Sequence, residues 1–378
     1  MDKKFLVYDP VVFVIGNDYD IMFYTEQKGM GAVRIGDKTF YDSTNGIIKS
    51  EDNIHSVRVP QALLNAAGEY TVIYSHYPHR EPYFPTHTEP EEVTYTFRAP
   101  REDDGLQIYW VSDAHERFVA PSRAGQFFGD ELDLLVLGGD IGESLTVEHI
   151  LNVYRVAERV TQGSRPVLYV RGNHDLRGIL GEIMPRYVAT DKGNTYFTFR
   201  LGSLWGIVLD CGEDKCDDSI EYGGTADFNT FRAEQADFVR RVVKNSGEEY
   251  LADGVKYRMA FCHLPFTEYA PNDPQFDQSW ARQYYNEWCR CLNEIGVDLM
   301  LTGHMHQCYT REPAEQKALD VAPTFPLVVG SVSNDNPFTG AQPSEDEFTG
   351  AAIEIKDGAF SVKFTNSKGK ILSEKDIK

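Results

Sequence analysis

The chain has 378 residues, of which 42% are hydrophobic and 25% are charged, so it is long enough for two domains and has the composition of a globular protein. Its formal net charge of −21 disfavours a polyanion such as nucleic acid as a partner. No apolar run reaches the length of a membrane span, so no membrane contact is expected. The first residues show no secretory signal, which predicts a cytoplasmic protein unless an export signal has been removed.

The first hundred residues are predicted to form an all-β domain. Short runs rich in Val, Ile, Tyr and Phe alternate with turn residues, and one short helical turn is predicted at 61–65. The predicted strands are 11–15, 20–24, 31–35, 55–59, 70–74 and 93–97. This number of strands in this length predicts an immunoglobulin-like or fibronectin-like sandwich over residues 1–100, with a linker at its end.

Two features of the sequence allow alternative interpretations. A proline-rich segment at 76–87 carries three histidines and several aromatic residues. It is either a metal-binding or substrate-facing tract or an ordered surface loop. The six cysteines all follow residue 210, and we expect free thiols, with a Cys211–Cys216 disulfide as the alternative.

From residue 106 onward strand-like and helix-like runs alternate, which is typical of an α/β domain. We therefore treat residues 101–378 as a second domain. The predicted strands are 106–111, 132–137, 167–170, 195–199, 204–209, 259–262, 299–302 and 327–330, and a hairpin of 351–355 and 360–364 follows. One helix is predicted to begin near 147, and two others span 231–244 and 280–295.

Side chains that commonly bind metals follow five of these predicted strands. They are Asp113 and His115, Asp140, the run Asn173-His174-Asp175, His263, and the pair His304 and His306. Side chains at the carboxyl ends of neighbouring parallel strands converge in space. Carboxylates and imidazoles that converge without a cation would be electrostatically costly, so the pattern indicates a metal site. Oxygen and imidazole donors suit Mn, Fe or Zn.

These residues, in this order, resemble the motifs of the calcineurin-like metallophosphoesterase family. The matching motifs are Asp113-x-His115, Gly139-Asp140, Gly172-Asn173-His174-Asp175, His263 and Gly303-His304-x-His306, and the resemblance covers about residues 106–366. It implies a four-layer α/β sandwich in which two mixed β-sheets are flanked by helices. In this chain the β-sandwich domain would precede that fold.

The resemblance also implies a centre of two divalent metal ions. Asp113, His115 and His306 would hold one ion. Asn173, His263 and His304 would hold the other, and Asp140 would bridge both. Two such ions share a hydroxide that attacks phosphorus, and they also bind the phosphate oxygens.

The same resemblance implies catalytic roles for three residues near the tetrad. His174 would protonate the leaving oxygen, and Asp175 would orient His174. Arg171 would either bind phosphate or form a structural ion pair.

The β-rich region ahead of the catalytic region is similar to the arrangement in purple acid phosphatases. Those enzymes carry a tyrosine that binds ferric iron three positions after the bridging aspartate, where this chain has Glu143. A coloured tyrosinate–iron(III) site is therefore not expected, and divalent Mn, Fe or Zn is favoured. We expect Glu143 beside the ligands or at the surface, and contact with a metal is left open as the alternative.

The sequence therefore predicts a metal-dependent hydrolase of a small phosphorylated substrate. The alternatives are a phosphodiesterase or nuclease that acts on nucleic acid or a cyclic nucleotide, and a non-catalytic metal-binding interaction module. The acidic run 210–224 is either a lid over the metals or a solvated loop, and 334–338 is a second loop near the expected site. The sequence does not distinguish monoester, diester and nucleotide substrates, and it does not define the oligomeric state.

Overall fold

The computed structural model describes residues 5–43, 46–102, 104–143, 146–268, 280–335 and 344–377. Its first strands are β1 (Val11–Ile15), β2 (Asp18–Ile35), β3 (Lys38–Tyr41), β4 (Glu51–Pro60), β5 (Glu69–His76) and β6 (Glu91–Thr96), with helix α1 (Gln61–Ala67) between β4 and β5. The predicted strands and helical turn of this region are confirmed, except that 20–24 and 31–35 belong to the single long strand β2.

The rest of the chain alternates strands with helices, as predicted. The strands are β7 (Leu106–Val111), β8 (Leu134–Leu137), β9 (Pro166–Tyr169), β10 (Phe197–Leu201), β11 (Leu204–Val208), β12 (Tyr257–Phe261), β13 (Leu299–Thr302), β14 (Tyr309–Arg311), β15 (Leu327–Val329), β16 (Thr349–Lys356), β17 (Ala359–Asn366) and β18 (Ile371–Ile377). The α-helices are α2 (Val119–Gly125), α3 (Val147–Ile150), α4 (Asn152–Thr161), α5 (Leu180–Ile183), α6 (Phe228–Lys244) and α7 (Arg282–Ile295).

Two mixed β-sheets form the centre of the fold. The larger sheet has the order β18-β17-β16-β7-β8-β9-β1-β2-β5-β6, with β3 and β4 attached to β2, and the smaller sheet has the order β10-β11-β12-β13-β15-β14. In the larger sheet β7, β8, β9 and β1 are parallel. In the smaller sheet β11, β12, β13 and β15 are parallel. Parallel strands bring their carboxyl ends to the same sheet edge, which is where the predicted site residues follow β7, β8, β9, β12 and β13.

Alternating side chains of the strands divide the fold into four layers. In β8, Val136 belongs to the core between the two sheets, whereas Leu135 packs against helices α2 and α4. In β13, Leu301 belongs to the same inter-sheet core, and Met300 packs against helices α6 and α7. Because successive strand residues point to opposite faces, this division produces a helix–sheet–sheet–helix order.

The N-terminal strands are continuous with the larger sheet. β1 pairs in parallel with β9, with Val12 opposite Pro166. β2 changes register between Tyr24 and Gly29, so its first part pairs mainly with β1 and β4 and its second part mainly with β3 and β5. A self-contained sandwich over residues 1–100 is therefore not confirmed, and the domain boundary stays a prediction.

The structure also decides between several smaller alternatives. The segment 76–87 is a surface loop in which Tyr83 and Phe84 are 80% and 94% exposed, and the groups of described residues that could hold a metal ion lie elsewhere. All six cysteines are free thiols, so the Cys211–Cys216 disulfide is wrong. No described helix combines the length and the apolar character that a bilayer crossing requires. In the predicted loop 334–338, residues 336–338 lie outside the described residues.

A chain that starts at residue 101 tests whether the N-terminal strands are part of the catalytic fold. We expect this chain to lose cooperative thermal unfolding, because β9 would lose its partner β1 and the inter-sheet core would lose Val12, Tyr19 and Val57. Circular dichroism melting of residues 101–378 and of the full chain measures the difference. A cooperative transition at the same temperature in both would show that the N-terminal strands are dispensable.

Candidate metal centre

The predicted ligands lie in the loops that follow five parallel strands, and these loops meet. Asp140 Oδ2, after β8, is 3.2 Å from His263 Nε2, after β12. Asp113 Oδ1, after β7, is 3.6 Å from His306 Nε2, after β13. Each of these pairs joins one loop of the larger sheet to one loop of the smaller sheet. The carboxyl-terminal edges of the two sheets therefore share one site.

Asp113, His115 and His306 form the first donor group, and their ligand atoms lie within 4.8 Å of one another. His115 Nε2 is 3.2 Å from His306 Nε2. The Asp113 carboxylate accepts hydrogen bonds from the Ser112 hydroxyl at 2.5 Å and from the backbone N–H of His304 at 3.0 Å. A fixed carboxylate and two imidazole nitrogens around one point are suitable donors for a divalent transition-metal ion.

Asp140, His263 and His304 form the second donor group, and Asn173 joins it through Oδ1, which is 3.0 Å from His304 Nδ1. His263 donates its Nδ1–H to the carbonyl of Gly138 at 2.7 Å, which leaves Nε2 facing Asp140. That Nε2 is buried and forms no hydrogen bond of good geometry within the described part of the chain, although the Asp140 carboxylate lies 3.2 Å away. A buried polar atom without a well-formed hydrogen bond is costly, so its position indicates a ligand.

The two donor groups adjoin, since Asp113 Oδ1 is 3.8 Å from His263 Nε2. Burial opposes protonation of His263, but the carboxylates of Asp140 and Asp113 outweigh burial and raise its pKa to about 10. Burial raises the pKa of Asp140, but the nearby imidazole of His263 outweighs this effect and lowers that pKa well below its usual range. The carboxylates therefore require positive charge at this point, which a bound cation supplies.

Neighbouring side chains hold two of the imidazole rings by their outer nitrogens. His115 donates its Nδ1–H to Glu143 Oε1 at 2.5 Å, and His304 Nε2 lies 3.4 Å from Asp214 Oδ2. Contacts of this kind fix the orientation and the tautomer of histidines that bind metals. Together with the buried Nε2 of His263, they show that the residues present fit bound divalent metal.

The backbone around these ligands is strained. Five of them have positive φ angles: Asp113, His115, Asp140, His304 and His306. Non-glycine residues rarely adopt this conformation, which costs on the order of 1–3 kcal/mol and is concentrated at functional sites. The motif glycines allow the loops to approach closely, because a Cβ atom on Gly172 would lie 2.1 Å from Asp140 Oδ1 and one on Gly303 would lie 2.4 Å from Ser112 Oγ.

His174 lies beside both donor groups, and 21% of its side chain is exposed. Its backbone N–H donates to Asp140 Oδ1 at 2.8 Å, and its Nε2 is 3.8 Å from Asp140 Oδ2. Its Nδ1 is 2.8 Å from Glu143 Oε2. Hydrogen bonds from His115 and His174 hold the pKa of Glu143 well below its usual range. Glu143 therefore lies beside the proposed ligands as a carboxylate, and with His115 and His174 it forms a third group of side chains that could hold a metal ion.

Asp175 does not make the contact with His174 that the resemblance implies. Its Oδ2 accepts hydrogen bonds from the backbone N–H groups of Asp140 at 3.0 Å and Gly172 at 2.9 Å, and from the Tyr169 hydroxyl at 2.7 Å. Burial and the charge of Asp140 raise the pKa of Asp175 to about 6. Asp175 therefore holds the loops after β8 and β9 together.

The geometry of the local helix explains this correction. His174–Leu176 form one turn of 3₁₀-helix, in which adjacent side chains point about 120° apart. Asp175 therefore points into the protein, where it is 2% exposed, while His174 faces the site. Among the described carboxylates, Glu143 is the one in hydrogen-bond contact with the His174 ring.

Arg171 forms a structural ion pair. Its Nε donates to Asp210 Oδ2 at 2.6 Å, and its guanidinium lies 5.2 Å from the ring centroid of Phe231. Thr195 donates to the same carboxylate oxygen at 2.5 Å. Of the two roles expected for Arg171, the ion pair is the one that the geometry shows.

Three further residues beside the site are absent from the sequence prediction: Arg177, Glu213 and Asp214. Arg177 Nη1 is 3.0 Å and 3.1 Å from the two ring nitrogens of His174. Glu213, which is fully buried, pairs with Arg177, and Asp214 approaches His304. The available signal was the acidic run 210–224 after β11, which indicates a loop near the site but not which of its carboxylates reaches it.

The family of the chain follows from comparison with known proteins. The family model of the calcineurin-like phosphoesterases matches residues 106–308, which is more than half of the chain. The chain therefore belongs to the calcineurin-like phosphoesterase family, and it is a phosphoester hydrolase. No curated protein matches it in sequence.

Two solved structures resemble the fold over nearly the whole chain. A purple acid phosphatase from yellow lupin (Lupinus luteus) seeds has 10% sequence identity to this chain and a TM-score of 0.62. The match covers 98% of this chain and 74% of the phosphatase chain. The structure of PhoD has 9% sequence identity to this chain and a TM-score of 0.58. The match covers 99% of this chain and 90% of the PhoD chain. At such identities the likeness shows the fold alone.

Divalent metal is expected to stabilise the folded chain, because the donor groups exist only when the five loops are assembled. At a free Mn²⁺ or Zn²⁺ concentration of about 100 times Kd, the stabilisation is about 2.7 kcal/mol. The measurement is thermal unfolding of chelator-treated protein with and without metal. Asp140→Asn should remove most of the shift, whereas Asp130→Asn, at a fully exposed side chain, should keep it. Equal shifts in wild type and Asp140→Asn would contradict the proposed ligands.

Glu143→Gln and Asp175→Asn separate the roles of the two carboxylates. Glu143→Gln should lower turnover with little change in unfolding temperature, because Glu143 is 30% exposed and contacts the His174 ring. Asp175→Asn should lower the free energy of unfolding by about 1–3 kcal/mol, because a buried charged acceptor of three hydrogen bonds is lost. Steady-state kinetics and thermal unfolding of both variants test this, and the opposite pattern would restore Asp175 as the residue that orients His174.

Proposed function

We propose that the chain hydrolyses a small phosphorylated substrate with the aid of two divalent ions, Mn, Fe or Zn. Asp113, His115 and His306 would hold one ion. Asn173, His263 and His304 would hold the other, with Asp140 shared between them. When bound, two such ions lower the pKa of water and neutralise the charge on phosphate oxygens.

This proposal rests on one observation: the two donor groups lie side by side around a buried carboxylate. Asp140 is 1% exposed, and the buried Nε2 of His263 lies 3.2 Å from its Oδ2. Asp113 Oδ1, which belongs to the first group, lies 3.8 Å from the same Nε2. Two clusters of donors this close support a pair of ions rather than two unrelated sites.

His174 is the proposed donor of the proton to the leaving oxygen. Its Nδ1 is held by the Glu143 carboxylate, which would stabilise the positively charged ring before the transfer. Its Nε2 lies on the side of the donor groups, 3.8 Å from Asp140 Oδ2. A hydroxide ion bonds to phosphorus as the bond between phosphorus and the leaving oxygen breaks. The bonding electron pair stays on the leaving oxygen, and the proton passes to that oxygen from Nε2. Such a transfer contributes about 10²–10⁴-fold to the rate.

A small phosphorylated substrate is favoured over nucleic acid. The net charge of the chain is −21, and the carboxylates of Glu143 and Asp214 border the donor groups. This surface attracts metal ions and repels an extended polyanion. Digestion of DNA and RNA by the metal-loaded chain tests the nuclease alternative directly.

His174→Ala is expected to reduce turnover while the metal content stays close to that of the wild type. The loss should be about 10²–10⁴-fold for an alkyl phosphate, whose leaving oxygen needs a proton. It should be much smaller for p-nitrophenyl phosphate, because nitrophenolate leaves readily without one. The measurement is kcat for both substrates together with metal analysis of each protein.

His79→Ala provides the matched control, because His79 lies in the exposed loop 76–87 and should leave both rates unchanged. An equal loss of rate for alkyl and p-nitrophenyl phosphates in His174→Ala would argue against proton donation. A full rate with both substrates would remove His174 from the mechanism.

A further inference from the structure

Arg177 lies beside the proposed proton donor but has no part in the mechanism described so far. Its Nη1 is 3.0 Å from Nδ1 and 3.1 Å from Nε2 of His174. The side chain is 32% exposed, so solvent reaches it. An arginine next to the reacting atoms of a phosphoesterase can donate hydrogen bonds to phosphate oxygens.

A buried carboxylate fixes the opposite edge of the Arg177 guanidinium. Nε and Nη2 of Arg177 both donate to Glu213 Oε2, at 3.3 Å and 3.1 Å. Glu213 is fully buried, and its Oε2 also accepts from the Tyr222 hydroxyl. Arg232 donates to the backbone carbonyl of Glu213 at 2.7 Å. Glu213 therefore fixes the guanidinium through Nε and Nη2, while Nη1 lies on the side of His174.

The donors of Nη1 exceed what the imidazole can accept. Nη1 carries two N–H groups, whereas a neutral imidazole has at most one acceptor nitrogen and the protonated ring of the proposed proton donor has none. At least one N–H group of Nη1 therefore has no acceptor in the His174 ring. A phosphoryl oxygen of a substrate bound beside the His174 ring would accept from that N–H group.

Two other cations in this region are already paired with carboxylates. Arg171 donates to Asp210 at 2.6 Å, and Lys215 donates to Asp214 at 2.8 Å. Arg177 is also paired with a carboxylate, but it differs from them because its Nη1 lies 3.0 Å and 3.1 Å from the ring nitrogens of His174. This edge of the guanidinium faces the site where the proposed function puts the substrate phosphate.

We propose that Arg177 binds a non-bridging oxygen of the substrate phosphoryl group, and that Glu213 is its positioning residue. This inference rests on the proposed function, since it puts the phosphate between Arg177 and the donor groups. The ligand chemistry is that of a phosphate dianion, and inorganic phosphate, the product of monoester hydrolysis, shares it. Phosphate binding therefore gives a readout that is independent of turnover.

The test uses the full chain loaded with Mn²⁺. Inorganic phosphate is titrated by calorimetry, and KM and kcat are measured with p-nitrophenyl phosphate. Arg177→Gln should weaken phosphate binding and raise KM by about tenfold or more, because a charge-assisted hydrogen bond is lost, and its metal content should be unchanged. Arg177→Lys should fall between Arg177→Gln and wild type, since it keeps the charge without the paired N–H groups.

Glu213→Gln tests the positioning role. It should raise KM more than it lowers kcat, because the guanidinium keeps its charge but loses its rigid support. Arg186→Gln is the matched control, since Arg186 is 59% exposed and pairs with Asp52 away from the site. This control should bind phosphate as the wild type does.

Wild-type phosphate affinity and KM in folded, metal-loaded Arg177→Gln would overturn the inference. If Arg177→Gln fails to fold, Arg177→Lys decides, because it retains a cation against the buried Glu213, and wild-type values in that variant would equally overturn the inference. A wild-type chain that neither hydrolyses phosphoesters nor binds phosphate would instead overturn the proposed function, and the inference with it. If the wild type is active and the variants are unchanged, the inference about Arg177 fails and the proposed function stands.

Discussion

The crowding of carboxylates and imidazoles at the ends of five strands is the constraint that the rest of the structure accommodates. Asp113 and Asp140 are buried there together, and their charge raises the pKa of the buried His263 to about 10. Left-handed backbone at five ligands adds local strain, whereas the motif glycines allow the loops to approach closely without it. A cation relieves the electrostatic part of this cost, so metal binding and assembly of the loops are coupled.

Much of the fold was predictable because buried parallel strands produce short apolar runs that end abruptly. β7, β9 and β13 were predicted for this reason. Sequence patterns do not encode which distant strands pair, so the joining of β1 to β9 was missed. The pattern also missed β14 and β18, which lie at sheet edges, because their few buried side chains produce no apolar run.

The convergence of the candidate ligands was predictable, because their chemical type and spacing carry the information. The seven proposed ligands converge because the strands that deliver them are adjacent. Asp175 was given the wrong contact, because neighbours in a 3₁₀ turn face different directions. Arg177 and Glu213 come from separate loops, and their pairing depends on how the segment after β11 folds back over His174. No local spacing encodes that contact.

The proposed dinuclear centre is tested most directly by titrating metal-free protein with Mn²⁺ or Zn²⁺ and following hydrolysis of a phosphoester. Asp113 and His263 belong to different donor groups but lie 3.8 Å apart, so both ions would be needed at the same phosphate. Activity is expected to rise until two equivalents of metal per chain are bound and then to level off. Full activity at one equivalent, or activity that persists after complete chelation, would contradict a mechanism that uses two ions.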